Sequence, residues 1–183
     1  MVNLSPLELE KATEHFRRIR ENDGSLSTLQ REFAHYLYAQ VNYLPINNGS
    51  FGLWLNHSTS DLDLAIGVPY TDLDNVIKKL TKISAYRAKR RSTATTYRYI
   101  FEFLIKGISI DLGVLPPHDF LLTQQGMRRC RINMSQQSRI IHVWQKQKLL
   151  DNGLLKDYAQ YKLEPYRKYF DKRFIFTPIE KLS

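Results

Sequence analysis

The chain has 183 residues, 43% of them hydrophobic, with 27 Lys+Arg against 18 Asp+Glu and a single cysteine. That size supports one domain with a sizeable core and a small helical appendage. No apolar run approaches the ~20 residues of a membrane-spanning helix, and one cysteine excludes an internal disulfide.

The N-terminus, Met1-Val2-Asn3-Leu4-Ser5-Pro6, lacks a signal-peptide core, so a cytoplasmic location is expected. Cys130 has no companion cysteine or histidine ligands and reads as a spectator thiol. Ser5-Pro6-Leu7-Glu8 has the form of a capping box with proline at the first helical position. It predicts a helix from about Pro6 to Glu21 that stops near Asn22-Asp23-Gly24. Ser27-Thr28-Leu29-Gln30 opens a second helix, with Leu29, Phe33, Leu37 and Val41 on one stripe before a break at Pro45. A tight turn at Gly49-Ser50 and an apolar strand carrying Asp61-Leu62-Asp63 follow. Thr71-Asp72-Leu73-Asp74 begins a helix whose buried face is Leu73, Val76, Ile77 and Leu80.

Tyr97 to Ile105 and Ile108 to Val114 read as paired strands around Lys106-Gly107, and Pro116-Pro117 ends the second. Gln136 to Leu150 and Leu154 to Asp171 read as helices separated by Asp151-Asn152-Gly153, the latter interrupted or kinked at Pro165. This order argues for an α+β fold, a mixed sheet with carboxylates on one face and helices on the other. Residues 1–120 form the expected core and residues 121–183 a basic helical extension packed on it.

The chemistry concentrates between Gly49 and Asp63. Strand side chains alternate faces, so Asp61 and Asp63 share one face while Leu62, Leu64 and Ile66 take the other. Crowded carboxylates repel, and a hard cation with oxygen ligands turns that repulsion into attraction. Asp111 repeats the pattern on a second strand. There Ile108, Ile110, Leu112 and Val114 form the buried row, and Ser109 and Gly113 leave space beside the carboxylate. Three carboxylates and a triphosphate suit two Mg2+ ions ~3.5–4 Å apart, with Mn2+ as a substitute. In that scheme Asp61 and Asp63 bridge both ions, and Asp111 completes the site of the ion that activates an acceptor hydroxyl. Gly49 lets backbone N–H groups approach phosphate oxygens, and the Ser50 hydroxyl adds a donor.

These residues resemble the nucleotidyltransferase superfamily typified by DNA polymerase beta. The wording is most similar to the noncanonical poly(A) and poly(U) polymerases, whose active-site segment runs Gly-Ser-Phe, Gly-Leu-x-Leu and Ser-Asp-Ile-Asp. Gly49, Ser50, Phe51, Gly52, Leu53, Leu55, Ser60, Asp61 and Asp63 carry the likeness, with Ile110-Asp111-Leu112 as the third-carboxylate strand. Here Gly-Leu-Trp-Leu follows Phe51 directly, two positions earlier than in that pattern, and Asn48 stands where an apolar residue usually precedes the Gly-Ser. The resemblance implies transfer of a nucleoside monophosphate from a nucleoside triphosphate to a hydroxyl, with magnesium and release of pyrophosphate. An RNA 3′ end is the leading acceptor. A protein side chain or a small molecule such as an antibiotic is the alternative, and a catalytically silent RNA-binding protein on the same fold is another.

Charge supports a phosphate-rich partner. Residues 1–74 hold 5 Lys+Arg against 10 Asp+Glu, residues 75–120 hold 9 against 3, and residues 121–183 hold 13 against 5. The basic surplus thus lies after the first carboxylate strand, where it draws polyanions irrespective of sequence. Tyr86 to Arg91 with Tyr97-Arg98 mixes cations and aromatic rings, which makes Arg87, Arg90, Arg91 and Arg98 the candidate acceptor-binding residues. Arg128-Arg129-Cys130-Arg131 is denser but lacks immediate aromatics. The C-terminal aromatics, Tyr158, Tyr161, Tyr166, Tyr169, Phe170, Phe174 and Phe176, read as core packing, and His57 as an incidental loop residue.

Overall fold

Five strands form one sheet in the computed structural model, which describes residues 4–57, 60–91 and 99–170, with Arg90 and Arg91 described in the main chain alone. They are β1 (Ile46–Asn48), β2 (Leu62–Gly67), β3 (Tyr86–Arg91), β4 (Tyr99–Ile105) and β5 (Ile108–Leu115). The sheet order is β1-β2-β5-β4-β3. Only β2 and β5 run parallel; the other three pairs are antiparallel, so the sheet is mixed as expected. Arg98 and the aromatics Phe174 and Phe176 lie outside the described residues.

The β4–β5 hairpin turns on Lys106 and Gly107, whose φ values of 52° and 79° are both left-handed. Two successive positive φ values match the right-handed twist of the flanking strands, and glycine at the second position removes half of the steric cost. Leu62, Leu64, Ile66, Phe101, Phe103, Ile110, Leu112 and Val114 project to one face and are almost wholly buried. They pack against Leu29, Phe33, Leu37 and Val41 of helix α1 (Pro6–Val41) and Leu73, Val76 and Leu80 of α3 (Leu73–Leu80). A short helix α2 (Gly49–Gly52) lies between β1 and β2, and a 3-10 turn, Tyr70–Asp72, precedes α3.

One correction concerns α1, which is a single helix of 36 residues where two were expected. The capping box holds: the Glu8 N–H donates to Ser5 Oγ at 3.3 Å and the Ser5 N–H to Glu8 Oε2 at 3.1 Å. The expected stop at Asn22-Asp23-Gly24 is absorbed into the helix. Asn22 Nδ2 donates back to the Arg18 carbonyl at 3.1 Å and Thr28 Oγ1 to the Gly24 carbonyl at 3.1 Å. Asp23 pairs with Arg20 at 3.0 Å and accepts from Asn56 Nδ2 at 3.1 Å. The side chains that usually end a helix thus support this one, against a glycine cost of about 1 kcal/mol. Tertiary packing decides the outcome, because Ala12, Phe16 and Ile19 on the first half are buried against a second, C-terminal group of helices. The helix stops instead at Asn42, in the left-handed region at φ 60°.

That C-terminal group comprises α4 (Pro117–Asn133), α5 (Gln136–Asp151), α6 (Leu155–Tyr161) and α7 (Glu164–Tyr169). Helix α4 was not anticipated. Pro117, read as a strand terminator, is also its opening residue, and its buried side is the inconspicuous set Thr123, Gly126, Met127 and Cys130. A Cβ on Gly126 would lie 2.4 Å from the Phe170 ring, so the glycine lets α7 dock on α4. Leu154–Asp171 divides into α6 and α7 around Lys162-Leu163, just before Pro165. Strand β3 replaces what was read only as a basic run, and β1 is a three-residue edge. Among the described residues no helix is long and apolar enough to cross a membrane.

Candidate active site

Parallel pairing of β2 with β5 sets Asp63 opposite Asp111, on the face away from the Leu and Ile rows. Residues in register on neighbouring strands project to the same face, so one hydrophobic alternation on each strand brings two distant carboxylates together. Asp61 departs from expectation. It lies just before β2, which begins at Leu62, and it is exposed rather than fixed in the strand. Burial, then Asp111, then Asp61 push the Asp63 carboxyl up to about 7, against the opposing pull of Lys162 and Lys146. Both neighbouring carboxylates therefore act on Asp63.

The Gly49 turn meets this group directly. Gly49 has φ +67°, and a Cβ there would lie 1.9 Å from Asp63 Oδ2 and 2.4 Å from its Cγ. Both conformation and space require glycine. Its neighbour Asn48 pairs with Asp63 in the β1–β2 register. The following turn is closed by main-chain bonds, from the Leu55 N–H to the Ser50 carbonyl at 2.8 Å and from the Trp54 N–H to the Phe51 carbonyl at 3.1 Å. These fix Ser50 through its backbone and leave its hydroxyl out of the turn's construction. Ser50→Ala is accordingly expected to leave the melting temperature within about 2 °C while weakening triphosphate binding several-fold, as roughly 1 kcal/mol per lost hydroxyl donor implies. Calorimetric titration alongside a thermal melt checks it; unchanged affinity would overturn the expectation that Ser50 contacts phosphate.

The cations that act on Asp63 are not among the candidate residues of the sequence. Lys146 of α5 is buried, donates from Nζ to the Leu55 carbonyl at 2.7 Å, and has its ammonium pKa lowered to about 7, chiefly by burial. Both it and Lys162 act on Asp63. Tyr158 of α6 meets His57 Nε2 through its hydroxyl at 2.9 Å, and burial lowers His57 to about 4, so this histidine is neutral near pH 7. The one available signal was a lysine on the buried stripe of α5, shared with Arg139, Ile140, His142 and Val143.

The candidate acceptor arginines are placed less closely. Arg87 is exposed at a β-bulge in β3 and lines a shallow groove with Phe33, Tyr36 and Lys106; none of the three carboxylates lines it. The main chains of Arg90 and Arg91 pair with Ile100 and Tyr99 of β4, one strand beyond Asp111's own.

Among the described residues no three His, Cys, Asp or Glu side chains are gathered closely enough to hold a metal. The donor chemistry nevertheless fits a hard divalent cation, because Asp63 and the carboxylates that raise it are all-oxygen donors whose repulsion such an ion relieves. Asp63 and Asp111, in register on neighbouring strands, are the pair that could hold one.

No protein-family model matches the chain, and no curated protein matches it by sequence. Solved structures do match in fold. The GLD-2/RNP-8 complex aligns with a TM-score of 0.65 at 11% identity, over 83% of this chain and 51% of that one. The noncanonical poly(A) polymerase complex of GLD-2 with GLD-3 gives 0.59 at 13% identity, over 76% and 49%. A cytoplasmic RNA terminal U-transferase gives 0.57 at 11% identity, over 78% and 44%. The chain thus spans about half the length of the structures it matches. With a five-stranded mixed sheet, helices packed on it and these structural neighbours, the chain has the nucleotidyltransferase fold.

Proposed function

We propose that the chain is a metal-dependent nucleotidyltransferase that moves a nucleoside monophosphate from a nucleoside triphosphate to a hydroxyl, with an RNA 3′ end as the acceptor. The observation that supports this most is Asp63 in register with Asp111 against the glycine turn at Gly49. The acceptor hydroxyl gives its proton to solvent, its oxygen bonds to the α-phosphorus, the bond from that phosphorus to the bridging oxygen breaks, and pyrophosphate leaves with that bond's electron pair. Magnesium, when bound, supplies Lewis-acid stabilisation of the phosphate charge. Asp61, Asp63 and Asp111 would hold it. Gly49 and Ser50 cradle phosphate oxygens in this reading, while Lys146 and Lys162 add positive charge from α5 and the end of α6. Residues 1–120 serve as the catalytic core, and the helical extension of residues 121–183 supplies those lysines.

The neighbours support the acceptor class by what they are: poly(A) polymerase complexes and an RNA terminal U-transferase. Incubation with each labelled triphosphate, magnesium and total RNA or lysate tests the function, since label on RNA is the expected result. Label on protein moves the acceptor, and label on nothing removes the activity.

The strand edge at β3 is the proposed approach of the acceptor, through Arg87, Arg90, Arg91 and Arg98. Replacing Arg90 and Arg91 by alanine is expected to weaken RNA binding and flatten its log–log salt slope by up to ~0.7 per lost phosphate contact, with triphosphate affinity unchanged. RNA titrations of both proteins across a salt series read this. An unchanged slope moves the acceptor path away from β3.

A further inference from the structure

Trp54 is the most conspicuous side chain that the reaction scheme leaves without a role. It is 59% exposed in the turn that follows Gly49-Ser50, between Leu53 and Leu55, which are each 1% exposed. Its φ of 59° is left-handed, a conformation that bulky residues seldom adopt. Burial does not reward that strain, since the ring faces solvent while its neighbours anchor the turn.

The surroundings are one-sided in charge. Arg139, itself buried, places its guanidinium carbon 5.4 Å from the centroid of the Trp54 ring. It is held there by main-chain carbonyls, donating from Nε to Leu53 at 3.3 Å and from Nη2 to Arg131 at 2.8 Å. Arg131 in turn donates from Nε to the Gly52 carbonyl at 2.9 Å. Arg128 and Arg129 are exposed on the same final turns of α4. From Phe120 to Leu150 the chain has no Asp or Glu at all. The result is an indole presented to solvent and steadied by a buried arginine, next to a stretch of α4 and α5 whose acidic residues, Asp119 and Asp151, stand only in the first turn of one helix and at the end of the other.

An aromatic platform beside phosphate-binding cations is how single strands are held without sequence preference: bases stack on the ring and the backbone tracks the charge. We propose that Trp54, with Arg128, Arg129 and Arg131, forms a binding surface for a single-stranded nucleic acid, on which Trp54 stacks a base. This surface lies on the α4 side of the Gly49 turn and is separate from the β3 edge. It needs no triphosphate, so it stands whether or not the chain transfers nucleotides.

The ring is its own reporter. Titrating the full chain with a homopolymer RNA about 15 nucleotides long, without nucleotide or magnesium, is expected to quench tryptophan emission. Trp54→Phe keeps Trp144 as the remaining emitter; quenching should then disappear while part of the affinity survives. Trp54→Ala should weaken binding roughly 5- to 100-fold, the range of one lost base stack, with a circular-dichroism melt showing the fold retained. Arg128→Ala with Arg129→Ala should flatten the salt slope by up to ~0.7 per contact. RNA affinity unchanged in Trp54→Ala overturns the proposal. So does quenching by polyglutamate but not by RNA, which would make this a surface for an acidic protein.

Discussion

Asp63→Asn is expected to abolish nucleotide transfer, by roughly 10³-fold or more, the loss that follows when several kcal/mol of stabilisation of the transferring phosphate disappear. The same substitution should stabilise the metal-free protein, and the sign follows from linkage. The Asp63 carboxyl is raised to about 7 in the folded chain, above its ordinary 3.8, by burial and by Asp111 and Asp61. Between those two values the folded state holds more protons than the unfolded one, so stability falls as pH rises from about 4 to 7 and the penalty is complete above 7. Asparagine carries no charge to penalise. Melts of the two proteins in chelator should therefore agree near pH 4 and separate by several degrees at pH 8, at roughly 2–4 °C per kcal/mol for a chain of this size. Added magnesium should narrow the gap by stabilising the parent chain alone. A variant with near-parental turnover, or one less stable than the parent at pH 8, contradicts the assignment.

Gly49→Ala should damage fold and activity together. Its Cβ would enter the space of the Asp63 carboxylate, 1.9 Å from Oδ2, so either the turn or the aspartate has to move. The positive φ adds about 1–2 kcal/mol for any residue with a side chain. The expected result is a melting temperature lower by several degrees at every pH, with transfer reduced as severely as in Asp63→Asn. Gly153 provides the comparison: its φ is +68°, but a Cβ there would meet nothing within 4 Å. Gly153→Ala should lose a similar increment of stability from the backbone and keep its activity. Thermal melts and turnover of both alanine variants separate backbone strain from invasion of the site. Equal retention of activity would show that the contact between Gly49 and Asp63 is not part of the catalytic arrangement.

The sheet face that bears the carboxylates was readable because two periodicities agreed. Leu62, Leu64 and Ile66 on one strand, and Ile110, Leu112 and Val114 on the other, leave Asp63 and Asp111 no choice of face. The parallel pairing that puts them side by side depends on the long connection through α3, β3 and β4, which local patterns do not encode. Gly24 misled for a related reason. A glycine beside Asn22 and Asp23 is a fair stop signal, but contacts with α5 and the bond from Asn56 overrode it. Helix α4 escaped notice because glycine, threonine and cysteine bury little apolar area and give a weak stripe. Lys146 was hidden by its chemistry: a lysine normally marks a solvated position, and only folding places it against Leu55 and near Asp63.

Primer extension tests nucleotide transfer to an RNA 3′ end most directly. The chain is incubated with magnesium, each nucleoside triphosphate in turn, and a single-stranded RNA ending in a free 3′-hydroxyl or in a 3′-deoxynucleotide. The free-ended RNA is expected to lengthen with at least one triphosphate and to release pyrophosphate, the blocked RNA is not, and Asp63→Asn is expected to lengthen neither. No extension with any triphosphate by a folded protein, or equal labelling of the blocked RNA, contradicts that transfer.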